Sequence, residues 1–183
     1  MKGFNRKNQL FSLCGLNCGL CPMFLNKNCP GCGGGEGNQS CKIARCSMEH
    51  GGVDYCFQCS DYPCPKYDHI DDFDSFIVHR NRKADMEKAR RLGIDAYNTE
   101  QTEKAKILEI FLSDYNDGRK KTLFSVAVNL LELQDIQTVL SEIARKPGME
   151  TLTLKEKSAF VAGLLQDAAA TKNIDLKLHK KKC

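Results

Sequence analysis

The chain has 183 residues, with 27 Lys plus Arg, 23 Asp plus Glu and 11 Cys. That length suits one ordinary domain, or a small module joined to a modest helical body, and excludes most two-domain enzymes. The net charge of +4 sits in the last dozen residues, where Lys172, Lys177, Lys180, Lys181 and Lys182 outnumber Asp175, so the remainder is neutral and lacks the broad basic face of a nucleic-acid-binding domain.

The opening "MKGFNRKNQLFSLCGLNCGL" has basic residues ahead of apolar ones, the order of a secretion signal. Asn8, Gln9, Ser12, Asn17 and the thiols interrupt the apolar core, no small-residue cleavage site follows, and Leu13 before Cys14 argues against lipoprotein processing. No stretch approaches the ~20 apolar residues of a membrane span. The expectation is a soluble, cytoplasmic protein without a membrane partner.

Residues 1–66 read as a cysteine-rich module. Ten of the 11 Cys fall between Cys14 and Cys64, and nine of the 14 Gly and four of the five Pro fall between Cys14 and Lys66, while large apolar residues there are few. Such a segment cannot bury enough surface to fold unaided and calls for a staple. In a reducing compartment the staple is a metal rather than disulfides.

Residues 67–172 read as a helical domain. A charged helix is predicted over 72–92 with Gly93 as its stop, and Asp71, Asp72 and Asp74, with Asp68, read as acidic residues at its dipole-favoured start. A second helix starts near Asn98 or Thr99, carries Ala105, Leu108, Phe111, Leu112 and Tyr115 on one face, and closes at "NDG", 116–118. Arg119, Lys120 and Lys121 read as a solvated turn and helix start. "TLFSVAVNLL", 122–131, suits a buried helix or strand; no partner strand is visible, so a central buried helix is expected. Ile136, Val139, Leu140, Ile143 and Ala144 follow helical spacing up to Pro147-Gly148. Thr153 with Glu156 makes a capping box for a last helix bearing Leu154, Val161, Leu164, Leu165 and Ala168. Residues 173–183 read as a frayed basic tail, with Cys183 a bystander. The expected fold is mainly α, a small metal-stabilised N-terminal module packed on four to five helices.

Thiolates are soft ligands, and a C-x2-C pair brings two sulfurs to one metal. Cys18/Cys21, Cys29/Cys32 and Cys56/Cys59 are three such pairs, and Cys14, Cys41, Cys46 and Cys64 complete the ten candidate ligands. Two tetrahedral zinc ions use eight of them. Sequential pairing joins Cys18/Cys21 with Cys29/Cys32 and Cys41/Cys46 with Cys56/Cys59; cross-braced pairing exchanges the partners. Cys14 and Cys64 can replace members of either scheme, and spacing does not decide. His50 and His69 are secondary candidates, while His79 and His179 have no visible partner.

Cys14, Cys18 and Cys21 also form C-x3-C-x2-C, which looks like the cluster motif of radical S-adenosylmethionine enzymes. Leu20 stands where that family often carries an aromatic residue, and no long β/α barrel follows. Cys21-Pro22, Cys29-Pro30 and Cys64-Pro65 resemble the Cys-Pro steps of ferredoxins, which keeps an iron-sulfur cluster as the alternative cofactor.

"CGLNCGLCP" (14–22), "CPGC" (29–32) and "GVDYCFQCSDYPC" (52–64) together resemble a bacterial and archaeal family known as domain of unknown function 3795, and "DGRKKTLFSVAVNLLEL" (117–133) is similar to a helical segment of its members. The resemblance implies a cysteine-rich, metal-binding module on a helical partner and no particular activity. The expected function is a structural-zinc interaction module in which Phe57, Tyr62 and Tyr67 meet a partner, a protein before a nucleic acid. The alternatives are an iron-sulfur electron-transfer protein and a thiol-based metal carrier or redox sensor. No catalytic constellation is visible, and closed four-thiolate sites leave no position for a reactive water.

Overall fold

The computed structural model describes residues 2–35 and 41–181, so Gly37, Lys182 and Cys183 of the sequence reading lie outside the described residues. Among the described residues the fold is mainly α, with seven α-helices and no strand. They are α1 (Pro22–Leu25), α2 (Lys42–Glu49), α3 (Arg82–Leu92), α4 (Ile94–Asp114), α5 (Lys121–Leu130), α6 (Leu133–Arg145) and α7 (Leu154–Ala170). Two compact units divide the chain: Met1–Thr102 with Leu178–Cys183, and Glu103–Lys177. The boundary falls inside α4, well beyond the change of composition near residue 66.

The first unit holds every candidate thiol ligand. Its apolar residues form two small clusters: Phe4, Leu13, Ile43, Ala44 and Tyr67 in one, Phe11, Tyr55, Met86, Ala89 and Tyr97 in the other. Phe11 ties the second together, with Tyr97 at 4.6 Å and Tyr55 at 5.7 Å between ring centroids. Cys14, Cys32, Cys56 and Cys64 pack against the first cluster, so the thiols border apolar side chains. Close approach fixes the loops. Gly15 has φ +94°, and a Cβ there would lie 2.5 Å from Met86 Cγ and 2.8 Å from the Arg82 carbonyl oxygen, so the Cys14–Cys18 loop lies directly on α3.

The acidic run is not a helix start. α3 begins at Arg82, and Asp71, Asp72 and Asp74 lie in the preceding loop. Their carboxylates have other partners: Asp71 faces Arg82 Nε at 3.1 Å, and Asp74 accepts from the His79 N–H at 2.6 Å and from Arg80 at 2.9 Å. Asp74 also exchanges backbone-level hydrogen bonds with the C-terminal segment. Its N–H donates to the His179 carbonyl at 2.8 Å, and its carboxylate accepts the His179 N–H at 2.8 Å. Lys180 Nζ donates to the Ser75 carbonyl. The predicted stop at Gly93 is present, with φ +86°, and α4 starts directly after it at Ile94, four residues ahead of the expected start.

In the second unit, α5 is the central buried helix, burying Phe124 to Asn129. α7 packs against both α5 and α6. The amphipathic α6 buries Ile136, Val139 and Ile143, and Gly148 at φ +72° precedes the turn into α7. Lys104 Nζ donates to the Leu131 carbonyl at 2.6 Å, placing a cation at the C-terminal end of α5, where the helix dipole favours one.

Candidate functional site

Two C-x2-C pairs sit on the same local structure. Cys18–Leu20 and Cys56–Gln58 are single 3-10 turns, closed by Cys21 N–H to Cys18 O and Cys59 N–H to Cys56 O, both at 3.0 Å. With three residues per turn, side chains at i and i+3 eclipse, so each turn directs both of its thiols to one side. The third pair, Cys29/Cys32, is held by close packing on the N-terminal segment. Gly33, at φ +78°, would place a Cβ 2.8 Å from the Arg6 backbone nitrogen, and its carbonyl accepts the Arg6 N–H at 3.1 Å.

The thiols face two cavities. The narrow one, about 30 Å³, is lined by Cys46, Cys56, Cys59 and Cys64, together with His50 and Tyr67. The wide one, about 230 Å³, is lined by Cys14, Cys18, Cys29, Cys32 and Cys41 with Phe4, Leu13, Leu16 and Ile43. Cys21 stands beside Cys18 across its turn. All ten thiols are free of disulfides. As they stand, no three His, Cys, Asp or Glu side chains among the described residues form a group that could hold a metal ion. The donor chemistry fits zinc, being soft sulfur in fours and fives around shared cavities, whereas the side chains have not converged on a point.

Electrostatics agree with that crowding. Burial, then the neighbouring Cys32, Cys14, Cys21 and Cys29, push the Cys18 thiol far up. Burial raises Cys32 as well, against the lowering effect of Arg6. Cys56 is pushed up to about 12, by burial first and then by Cys14, Cys64 and Cys46, against a lowering effect of the neighbouring Tyr67.

Several supporting groups carry no signal in the motif. Arg6 is buried and donates to the carbonyls of Asp54, Asn8 and Phe11 at 3.0–3.1 Å, its guanidinium 4.8 Å from the Tyr55 ring centroid. Asn17, inside the first motif, accepts from the Tyr97 hydroxyl at 2.9 Å and donates to Asp85 at 3.0 Å. Ser12 Oγ lies 3.3 Å from Cys14 Sγ. A lone Arg, Asn or Tyr far away in sequence gives no hint of these roles.

Of the histidines, His50 lines the narrow cavity; its Nδ1 is 2.9 Å from the Cys46 carbonyl and 3.5 Å from Cys46 Sγ. His69 is exposed and pairs with Asp72 at 3.0 Å. His79 pairs with Ser75 at 2.9 Å. Among the expected partner-facing aromatics, Tyr67 is corrected: it is 2% exposed and forms part of the core. Tyr62 meets it edge-on at 5.1 Å and Phe57 stacks on Tyr55 at 5.5 Å, both half-buried. The exposed aromatics of this unit are Phe73 and Phe76.

No helix among the described residues is long and apolar enough to cross a membrane. Residues 10–69 match the family model described as Protein of unknown function (DUF3795), as the cysteine pattern leads one to expect. That span includes every candidate ligand from Cys14 to Cys64, and the helical stretch 117–133 lies outside it. No curated protein and no solved structure matches the chain.

Proposed function

Taking as premise that residues 10–69 carry this family's pattern, we propose that the N-terminal unit is a structural-zinc module whose thiols hold two ions, and that the folded unit serves to bind a protein partner. The observation that carries the reading is the narrow cavity. At about 30 Å³ it is the size of one water or ion, and four thiols share it. An organic substrate needs a pocket roughly ten times larger. A closed four-sulfur site polarises no water, so the metal's contribution is folding free energy, on the order of 10–16 kcal/mol for a structural zinc. Phe73 and Phe76, 46% and 64% exposed, are apolar side chains available to a protein. A nucleic-acid partner has less support, because the positive surplus is confined to the last dozen residues.

The wide cavity favours a second reading for that site alone. Its 230 Å³ exceeds what one ion fills, and five thiols line it, the setting of an iron-sulfur cluster. One preparation tests both: anaerobic purification, an absorption spectrum, and zinc, iron and sulfide per chain. A colourless protein with two zincs supports the structural module. A brown protein with iron and sulfide replaces zinc by redox chemistry, and a protein without metal removes both.

A further inference from the structure

Resting on the zinc reading above, we infer that the narrow cavity is one closed four-thiolate site made by Cys46, Cys56, Cys59 and Cys64, with Cys41 excluded and His50 outside the coordination shell. The set is the sequential scheme with Cys64 in place of Cys41, which breaks the spacing-based pair of Cys41 and Cys46. Helix geometry separates those two. Cys41 is the N-cap of α2 and Cys46 lies five positions on; at about 100° per residue, five steps leave them roughly 140° apart around the axis. The cavities reflect that angle, with Cys41 lining the wide one and Cys46 the narrow one.

The vacant fourth position falls to Cys64. Cys56 and Cys59 arrive together from their 3-10 turn. Cys64 caps the next such turn, Pro65–Tyr67, and its carbonyl accepts the Tyr67 N–H at 2.8 Å. Tyr67 of that turn is buried and lines the same cavity. His50 stands beside Cys46, its Nδ1 3.5 Å from Cys46 Sγ. Its Nδ1 is engaged by the carbonyl of its own helix at 2.9 Å, and its Nε2 faces Asp61 at 3.6 Å. Its Nδ1 is taken by that carbonyl, and four sulfurs complete a tetrahedron without it.

The test is zinc per chain, and the cobalt-substituted spectrum, for the full-length protein and its variants. C64S is expected to hold one ion fewer than the wild type, C46S the same, and the double variant C46S/C64S no fewer than either single. H50A is expected to keep the wild-type count. Because a serine variant can lose its metal by misfolding, C64H supplies the positive control: it keeps the ion, while thiolate-to-cobalt charge transfer from that site falls by about a quarter as four sulfurs become three. Full metal in C64S, two ions lost in C46S/C64S, an unaltered cobalt spectrum in C64H, or an ion lost in H50A would each overturn the assignment with zinc binding itself intact. A wild-type protein without metal overturns the zinc reading instead.

Discussion

Tyr97 shows how one side chain can hold a motif eighty residues away. Fully buried, it donates to Asn17 Oδ1 at 2.9 Å, and Asn17 in turn donates to Asp85 on α3, so the loop between Cys14 and Cys18 hangs from the helices. Y97F keeps the ring and removes the donor, leaving a buried amide oxygen without its partner; the expected cost is about 1–3 kcal/mol, read from the urea midpoint at constant slope. The difference also depends on pH. Burial, then Asp85, raise the Tyr97 hydroxyl above its ordinary value of 10.0. A raised folded value means the stabilisation is whole below pH 10 and shrinks above it, so wild type and Y97F should converge in alkali. A stability gap that stays constant through that range would show that the hydroxyl does not titrate as the buried geometry requires. Sequence could place Asn17 in a loop, but its partner is a tertiary fact.

At the scale of elements, α7 was legible because its signals are local. Thr153 Oγ1 accepts the Glu156 N–H at 3.3 Å, and Glu156 accepts the Thr153 N–H and hydroxyl at 2.8 and 2.7 Å, the reciprocal box that the spacing predicts. These bonds, the hydroxyl first, hold the Glu156 carboxyl below its ordinary 4.5. A lowered folded value gives stabilisation that is present above pH 4.5 and lost as pH falls further. T153A should therefore lower the melting midpoint at neutral pH, with a deficit that narrows in acid; a deficit independent of pH would assign the effect to helix propensity alone. The start of α3 was illegible for the opposite reason. Asp71, Asp72 and Asp74 have the composition of an acidic first turn, yet Asp74 is committed to Arg80 and to His179, a residue 105 positions away. Likewise Tyr67 reads as a loop aromatic, and only the apolar cluster of Phe4, Leu13 and Ile43 makes it core.

For the whole molecule, cysteine density is the sequence signal behind the metal module proposed above, but the limits of that unit and the grouping of its thiols depend on how the chain returns on itself. The first unit takes in α3, the beginning of α4 and the segment from Leu178 onward, none of which carries the cysteine pattern. Ending the chain at Lys177 removes the His179 N–H from a carboxylate whose side chain is 1% exposed. The expected loss is about 1–3 kcal/mol in the first unit, seen as faster amide exchange over residues 74–82. Metal removal should act on a larger scale. A structural zinc supplies on the order of 10–16 kcal/mol, comparable to a domain's entire ~5–15 kcal/mol of stability, so a unit stapled by two ions does not survive chelation. The second unit owns no thiol of the cluster and has its own buried residues, among them Phe111, Phe124, Leu131, Ile136 and Leu165. Hydrogen exchange after treatment with a chelator should therefore erase protection from Cys14 to Cys64 and spare α5, α6 and α7. Protection retained in both regions would mean that the thiols do not staple the fold, and loss in both at once would mean that the helices depend on the metal as fully as the loops that bind it.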